Sequence, residues 1–213
     1  MGKIGAVAGL VGIVIVAAAL VGPWWTFSAS ITVIGFESDV DAEFGLFGGV
    51  ARLTTPAGSS TETLNYSESP NIGAVFTSGM VFTVLAVGFG VLMVVLSAMS
   101  GARPRLGRAA ALMGVLAFAL ALAGPMYVMN ALPAAVNADT GGGATTGYTL
   151  EGFSGAESTT VLGNTVSVAY GGGWGWYLPL AGAFVLLVGA VASLRAPRAS
   201  AALPPPPGYA PPP

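Results

Sequence analysis

Four stretches of this chain run for eighteen residues or more without a charged side chain: 4–21, 73–100, 109–132 and 175–194. At the rise of an α-helix the shortest of them spans about 27 Å, close to the ~30 Å hydrocarbon core of a bilayer. Helices in water-soluble cores rarely go so long without a charge, so the pattern predicts four membrane-spanning helices. The second stretch exceeds a single crossing and is expected to tilt or to project from the membrane. The first also resembles a secretory signal, with Lys3 ahead of the apolar run and Ala17-Ala18-Ala19 near its end. No polar segment precedes that triplet, and Pro23-Trp24-Trp25 follows it. Paired tryptophans suit the membrane–water interface, which favours a retained span.

Two longer segments, 22–72 and 133–174, separate the apolar runs and carry a different pattern. Ser28–Phe36, Phe44–Thr54, Thr61–Tyr66, Tyr148–Phe153 and Thr159–Tyr170 are rich in β-branched and aromatic residues with partial alternation, as strands are. Gly163-Asn164 suits a two-residue hairpin turn within the last of these. Pro56-Ala57-Gly58-Ser59-Ser60 and Gly141-Gly142-Gly143 read as loop tips. The expected fold is an all-α membrane bundle of four helices, with a small extracellular antiparallel β-sheet built from both loops.

Charge orients this arrangement. Only 8% of the 213 residues are Asp, Glu, Lys or Arg, against roughly 25% in soluble domains. Lys3, Arg103, Arg105, Arg108, Arg195 and Arg198 fall on one side of a four-span layout, and Arg52 alone on the other. The positive-inside rule makes the first side cytoplasmic. Both termini are then cytoplasmic in a multi-pass protein of the cell membrane. All nine acidic residues lie on the outer side, six of them in the first loop and Asp139, Glu151 and Glu157 in the second. The net charge of -2 gives no footing for a nucleic-acid partner. The chain has no Cys and no His, which removes disulfides, thiolate chemistry, and the commonest general base and metal ligand. No cofactor is expected, and with no carboxylate inside the spans an enzyme is not expected either. Residues 1–195 read as one membrane domain. Residues 196–213 read as an extended, disordered cytoplasmic tail, in which Pro206-Pro207-Gly208-Tyr209 also fits the PPxY pattern read by WW domains.

With Trp24-Trp25 closing the first span, Gly45-Leu46-Phe47 in a first outer loop near fifty residues, Arg103-Pro104-Arg105 in a short inner turn and Gly124-Pro125 late in the third span, the layout resembles the claudin and peripheral-myelin-protein superfamily. Gly45-Leu46-Phe47 is similar to that family's Gly-Leu-Trp, with Phe in place of Trp. The resemblance implies a bundle carrying an extracellular sheet. Two departures stand against it: the loop cysteines of claudins are missing, and the second loop is longer. Barrier formation between cells is not carried over.

Few other residues suggest chemistry. Glu37, Asp39, Asp41 and Glu43 alternate with other residues, so on a strand all four carboxylates share one face. Such a row can be a solvated sheet face, an interaction surface, or a surface that binds or selects cations. Asn65-Tyr66-Ser67 is a sequon that makes Asn65 a candidate for glycosylation. Gly5-x-x-x-Gly9 and Ala86-x-x-x-Gly90 allow close helix approach, either within the bundle or between copies. Thr77, Ser78, Thr83, Ser97, Tyr127 and Asn130 are among the few polar residues of the spans, and none carries charge at neutral pH. Proton pumping and voltage sensing call for buried charge. The expected function is therefore non-enzymatic: adhesion, envelope organisation or service as an accessory subunit, through the outer β domain. The expected partners are the lipid bilayer and other membrane proteins or a second copy of this chain. The alternative is a small cation-selective channel or transport subunit.

Overall fold

The computed structural model describes residues 2–33, 35–100, 103–141, 149–161 and 164–194. In chain order its elements are α1 (Gly2–Ala18), β1 (Trp25–Val33), β2 (Phe36–Phe44), β3 (Gly49–Thr55), β4 (Gly58–Leu64), α2 (Pro70–Met99), α3 (Pro104–Asp139), β5 (Gly155–Val161), β6 (Asn164–Gly172) and α4 (Trp174–Leu194). Among the described residues there are thus four helices and one six-stranded antiparallel sheet.

Helices α2, α3 and α4 are long and apolar enough to cross a membrane. The regular part of α1 has 17 residues. Ala19, Leu20 and Val21 continue it with tighter turns, their N–H groups donating to the carbonyls three residues back. Each helix is apolar on its outward face as well as its inward one. Ile4, Val7, Leu10 and Val14 of α1 are exposed, as are Val84 and Val91 of α2, Leu112 and Val115 of α3, and Phe184 and Val188 of α4. A bundle with this jacket is suited to lipid and not to water.

The helices form a ring in which α1 and α3 each pack between α2 and α4. At the α1–α4 seam the two backbones come close together. A Cβ added to Gly189 would sit 3.1 Å from the Gly9 nitrogen and 3.2 Å from the Gly5 oxygen. One on Gly182 would sit 3.0 Å from the Gly12 oxygen. Ala86 and Gly90 face inward too, with Gly90 against Ile13 and Leu186. Both small-residue patterns are therefore used for packing within one chain. The lower interior is filled by Val16, Met93, Leu186 and a run of alanines, including Ala86, Ala117, Ala121 and Ala183. Its hydroxyls are internally bonded: Thr83 Oγ1 donates to the Gly79 carbonyl (2.8 Å), and Ser193 lies within hydrogen-bond reach of Ser97 (2.7 Å). Such bonds satisfy polar groups where no water is at hand.

The α3 helix departs from the sequence expectation. It runs to Asp139, about two turns beyond Leu132, and carries Pro125 and Pro133 within it. Proline removes one backbone donor without ending a helix whose neighbours hold it. Here the last turn is held from outside, by bonds from Asn137 and Asp139 described below.

The sheet has the order β4-β3-β2-β1-β6-β5, and the β1–β6 pairing joins the two inter-helical segments. Ser28–Phe36 is not one strand. It spans the β1–β2 hairpin, whose pairing ends at Val33↔Phe36 and whose turn uses Gly35 at φ 81°. That left-handed conformation costs glycine nothing. Residues Phe36–Phe44 form a full strand of their own. Gly58, Ser59 and Ser60 belong to β4, not to a loop tip. The Tyr148–Phe153 candidate is not a strand over its described part, 149–153. The β5–β6 hairpin forms, but not with Gly163-Asn164 as its turn: Asn164 opens β6 and pairs with Val161, so the connection lies one residue earlier. Its two connecting residues, like Gly142, Gly143 and the 196–213 tail, lie outside the described residues.

Sheet and bundle share one core. Trp24, Leu46, Phe76, Val128, Leu132 and Trp176 are all buried in it, together with Trp25, Leu150 and Tyr170 at the foot of the sheet. The passage between them is tight: Gly173 N donates to the Trp24 carbonyl (3.1 Å) and Gly175 N to the Pro23 carbonyl (2.8 Å). A side chain on Gly173 would collide with the Pro23 backbone.

Candidate functional site: the two faces of the sheet

Strand alternation divides the sheet into two chemically distinct faces. On the face turned away from the bundle, the pairing places Glu43 beside Thr26, Asp41 beside Ser28, Asp39 beside Ser30 and Glu37 beside Thr32. On the other flank of β2, Arg52 stands opposite Asp41 and Thr54 opposite Asp39. The four carboxylates thus share one face, as their spacing predicts, within a carpet of hydroxyls. Ser30 Oγ donates to Glu37 Oε1 at 3.4 Å. Strand rise separates successive carboxylates in the row by about 7 Å, too far for three of them to close on one Ca²⁺ at ~2.5 Å. Accordingly, among the described residues no group of three or more acidic side chains is placed to hold a metal ion.

The opposite face carries Trp25, Phe27 and Phe44 and, on β6, Val166, Val168 and Tyr170. Between it and the ends of α2 and α3 lies a cavity of about 650 Å³. Trp25, Phe27, Phe44, Leu64, Ile72 and Val136 supply much of its wall, while Glu62, Asn65, Glu68, Thr140 and Thr159 supply the polar part. Its volume falls in the ~300–1,000 Å³ range of small-molecule sites.

Three side chains fix the geometry around this cavity. Asp139, at the end of α3, accepts from the backbone N–H of Asn71 (3.3 Å) and of Ile72 (2.9 Å), capping α2 from another helix. Asn137 grips Leu150 by both backbone groups, donating to its carbonyl and accepting from its N–H, each at 2.9 Å. The Tyr66 hydroxyl donates to the Gly45 carbonyl and stacks on Phe76, with ring centroids 5.4 Å apart. Replacing Asp139 by Ala should cost about 1–2 kcal/mol of stability, the usual worth of an N-cap, read as a lower midpoint of thermal unfolding in detergent.

Burial holds the Tyr66 hydroxyl well above the ordinary tyrosine range, because the anion would be poorly solvated there. Its pKa is raised in the folded state, so the neutral form is favoured there. The linked stability is complete below the unfolded value of about 10 and is lost as pH rises through the folded value. Alkaline titration should therefore show tyrosinate forming late at this residue, and Tyr66→Phe should remove that late component from the absorbance change.

The resemblance residues do not act alike. Trp24, Trp25 and Leu46 are buried, whereas Phe47 is 71% exposed. Gly45 closes the β2–β3 turn, its N–H donating to the Gly48 carbonyl at 2.8 Å. Asn65 is exposed, and its Oδ1 accepts from the Ser67 N–H at 3.1 Å in a local turn. The cavity is not legible in the sequence, because its walls come from scattered segments whose residues each read as ordinary core. Comparison with known proteins finds no family model that matches this chain and no significant match among curated proteins.

Proposed function

We propose that the chain is a non-enzymatic, claudin-like integral membrane protein of the cell membrane, acting through its sheet on the outer side. All four helices cross the bilayer and both termini are cytoplasmic. The short α1 fits this reading because its helical turns extend to Val21 and its outward residues are as apolar as those of the other helices. The basic residues Arg103, Arg105 and Arg108 gather at the end of the bundle remote from the sheet, and the acidic residues gather at the sheet. The function is contact with another membrane protein, a second copy or an envelope component, for adhesion, organisation or as an accessory subunit. One observation carries the proposal: both inter-helical segments are joined by β1–β6 into one sheet whose far face is mostly polar, with Val50 among its exceptions, and bears four carboxylates in one row. A fixed charged face on rigid strands suits recognition.

The test is co-purification from native membranes in mild detergent. A partner or self-complex should be retained by the wild type. The combined substitution Glu37→Gln, Asp39→Asn, Asp41→Asn and Glu43→Gln should weaken it by about tenfold or more. A lone monomer under all conditions would sink the proposal. The row also favours a second reading, a cation-selective channel or transport subunit. The apolar filling of the bundle offers no polar path through its described interior, so conduction would run between copies. Cation conductance in a planar bilayer, abolished by the same four substitutions, would establish that reading instead.

A further inference from the structure

We infer that the cavity beneath the sheet binds a single lipid-like chain whose head is non-anionic and donates hydrogen bonds. This goes beyond the contact function above and does not rest on it, because it concerns the opposite face of the sheet.

Three observations lead there. The first is the wall. Trp25, Phe27, Phe44, Ile72, Val136 and Val168 present an apolar surface around about 650 Å³, the volume of some twenty waters at ~30 Å³ each. Water against such a wall finds few partners and is readily displaced by an apolar group. The wall is also preformed: the strands are paired along their lengths, and Asn137, Asp139 and Tyr66 fix the ends of α3, α2 and the β2–β3 turn. Binding would therefore require little ordering of the protein.

The second observation is position. The floor is Ile72 in the first turn of α2 and Val136 near the end of α3. The cavity therefore stands directly above the apolar jacket of the bundle, where a chain-bearing amphiphile is the most abundant apolar molecule. The third is charge. Among the described lining residues, the charged side chains are Glu62 and Glu68, and no Lys or Arg accompanies them. A carboxylate or phosphate head would meet like charge with no cation to pair it. An amine or a hydroxyl would find acceptors in those two carboxylates. The selecting chemistry is the donor head, which an amine and a polyol share.

Photoreactive probes of equal chain length can test this on the full chain in nanodiscs: a monoacylglycerol, an alkylamine and a fatty acid, each with a diazirine near the chain end. The glycerol and amine probes should label peptides holding Phe27, Ile72, Val136 or Val168, saturably and in competition with the unlabelled compounds. The fatty acid should label them about tenfold less. Glu62→Gln with Glu68→Gln keeps the acceptors and removes the charge, so it should cut labelling by the amine probe several-fold and leave the glycerol probe little changed. Unchanged labelling by the amine would overturn the role given to the two carboxylates. Filling the space with Val136→Trp should reduce labelling by all probes. The competition arm needs no variant, so a misfolded substitution would not spare the idea. Labelling that never saturates, that spreads over lipid-facing Val84, Val91 and Val188, or that is equal for all three heads would overturn it.

Discussion

Trp24→Ala should lower the stability of the protein by roughly 3–5 kcal/mol, the usual cost of deleting a fully buried large aromatic. Trp24 has no exposed surface and belongs to the core that joins sheet and bundle. Its indole Nε1 donates to the Ala19 carbonyl at 2.7 Å, closing the end of α1. Its backbone carries the ladder: its N–H donates to the Phe44 carbonyl at 2.7 Å, and its carbonyl accepts from Gly173. Truncation leaves a void between Leu46, Phe76 and Gly79 and an orphaned helix-end carbonyl. Trp24→Phe fills most of the space and should cost about 1–2 kcal/mol, chiefly for the lost bond. Phe47→Ala, two-thirds exposed or more, should change stability little. Thermal unfolding in detergent, followed by tryptophan fluorescence or circular dichroism, ranks the three. Equal effects for Trp24→Ala and Phe47→Ala would refute this account of the core.

Gly189→Leu should be at least as damaging, by pushing α1 and α4 apart. The first atom of the new side chain already meets the backbone of α1 at Gly9 and Gly5, and backbone cannot move aside as a side-chain tip can. Overpacking typically costs about 1–3 kcal/mol and more where relief needs a whole helix to shift. The matched control is Gly88→Leu on α2, where an added Cβ meets nothing within 4 Å. That change should be neutral or slightly stabilising, since leucine is the better helix former by about 0.5–1 kcal/mol. Yield of monodisperse protein by size-exclusion chromatography, with the melting midpoint, separates the two. If Gly189→Leu folds normally and merely loses self-association, the glycine seam would belong to an interface between copies.

These two sites also mark what the sequence makes legible. Charge-free runs locate the helices because a lipid-facing helix tolerates no interruption, and α2 and α4 end within three residues of the predicted limits. Period-two spacing places Glu37, Asp39, Asp41 and Glu43 on one face because strand geometry leaves no alternative. The end of α3 is another matter. Pro133 reads as a helix stop from local sequence, and the helix passes it because Asn137 and Asp139 bind residues 13 and 67 or 68 positions away. The β1–β2 turn hides for a related reason, since Ile31, Val33 and Phe36 are β-formers on both sides of Gly35. The cavity depends on the β1–β6 pairing, whose partners are about 140 residues apart. No local pattern encodes that.

The same pairing gives the molecule a mechanical axis. Antiparallel α1 and α4, locked at their glycine seam, continue upward as antiparallel β1 and β6, and Gly173 and Gly175 bond across the join to Trp24 and Pro23. Two chain segments thus run as one ribbon from the basic end of the bundle to the top of the sheet. The other four strands hang from the ribbon as β2–β3–β4 on one side and β5 on the other. A sideways load on the sheet becomes a lever on the α1–α4 pair. The angle at which the sheet stands is therefore tied to the tilt of α1 and α4, so a change in the tilt of that pair would re-aim the carboxylate row as one body.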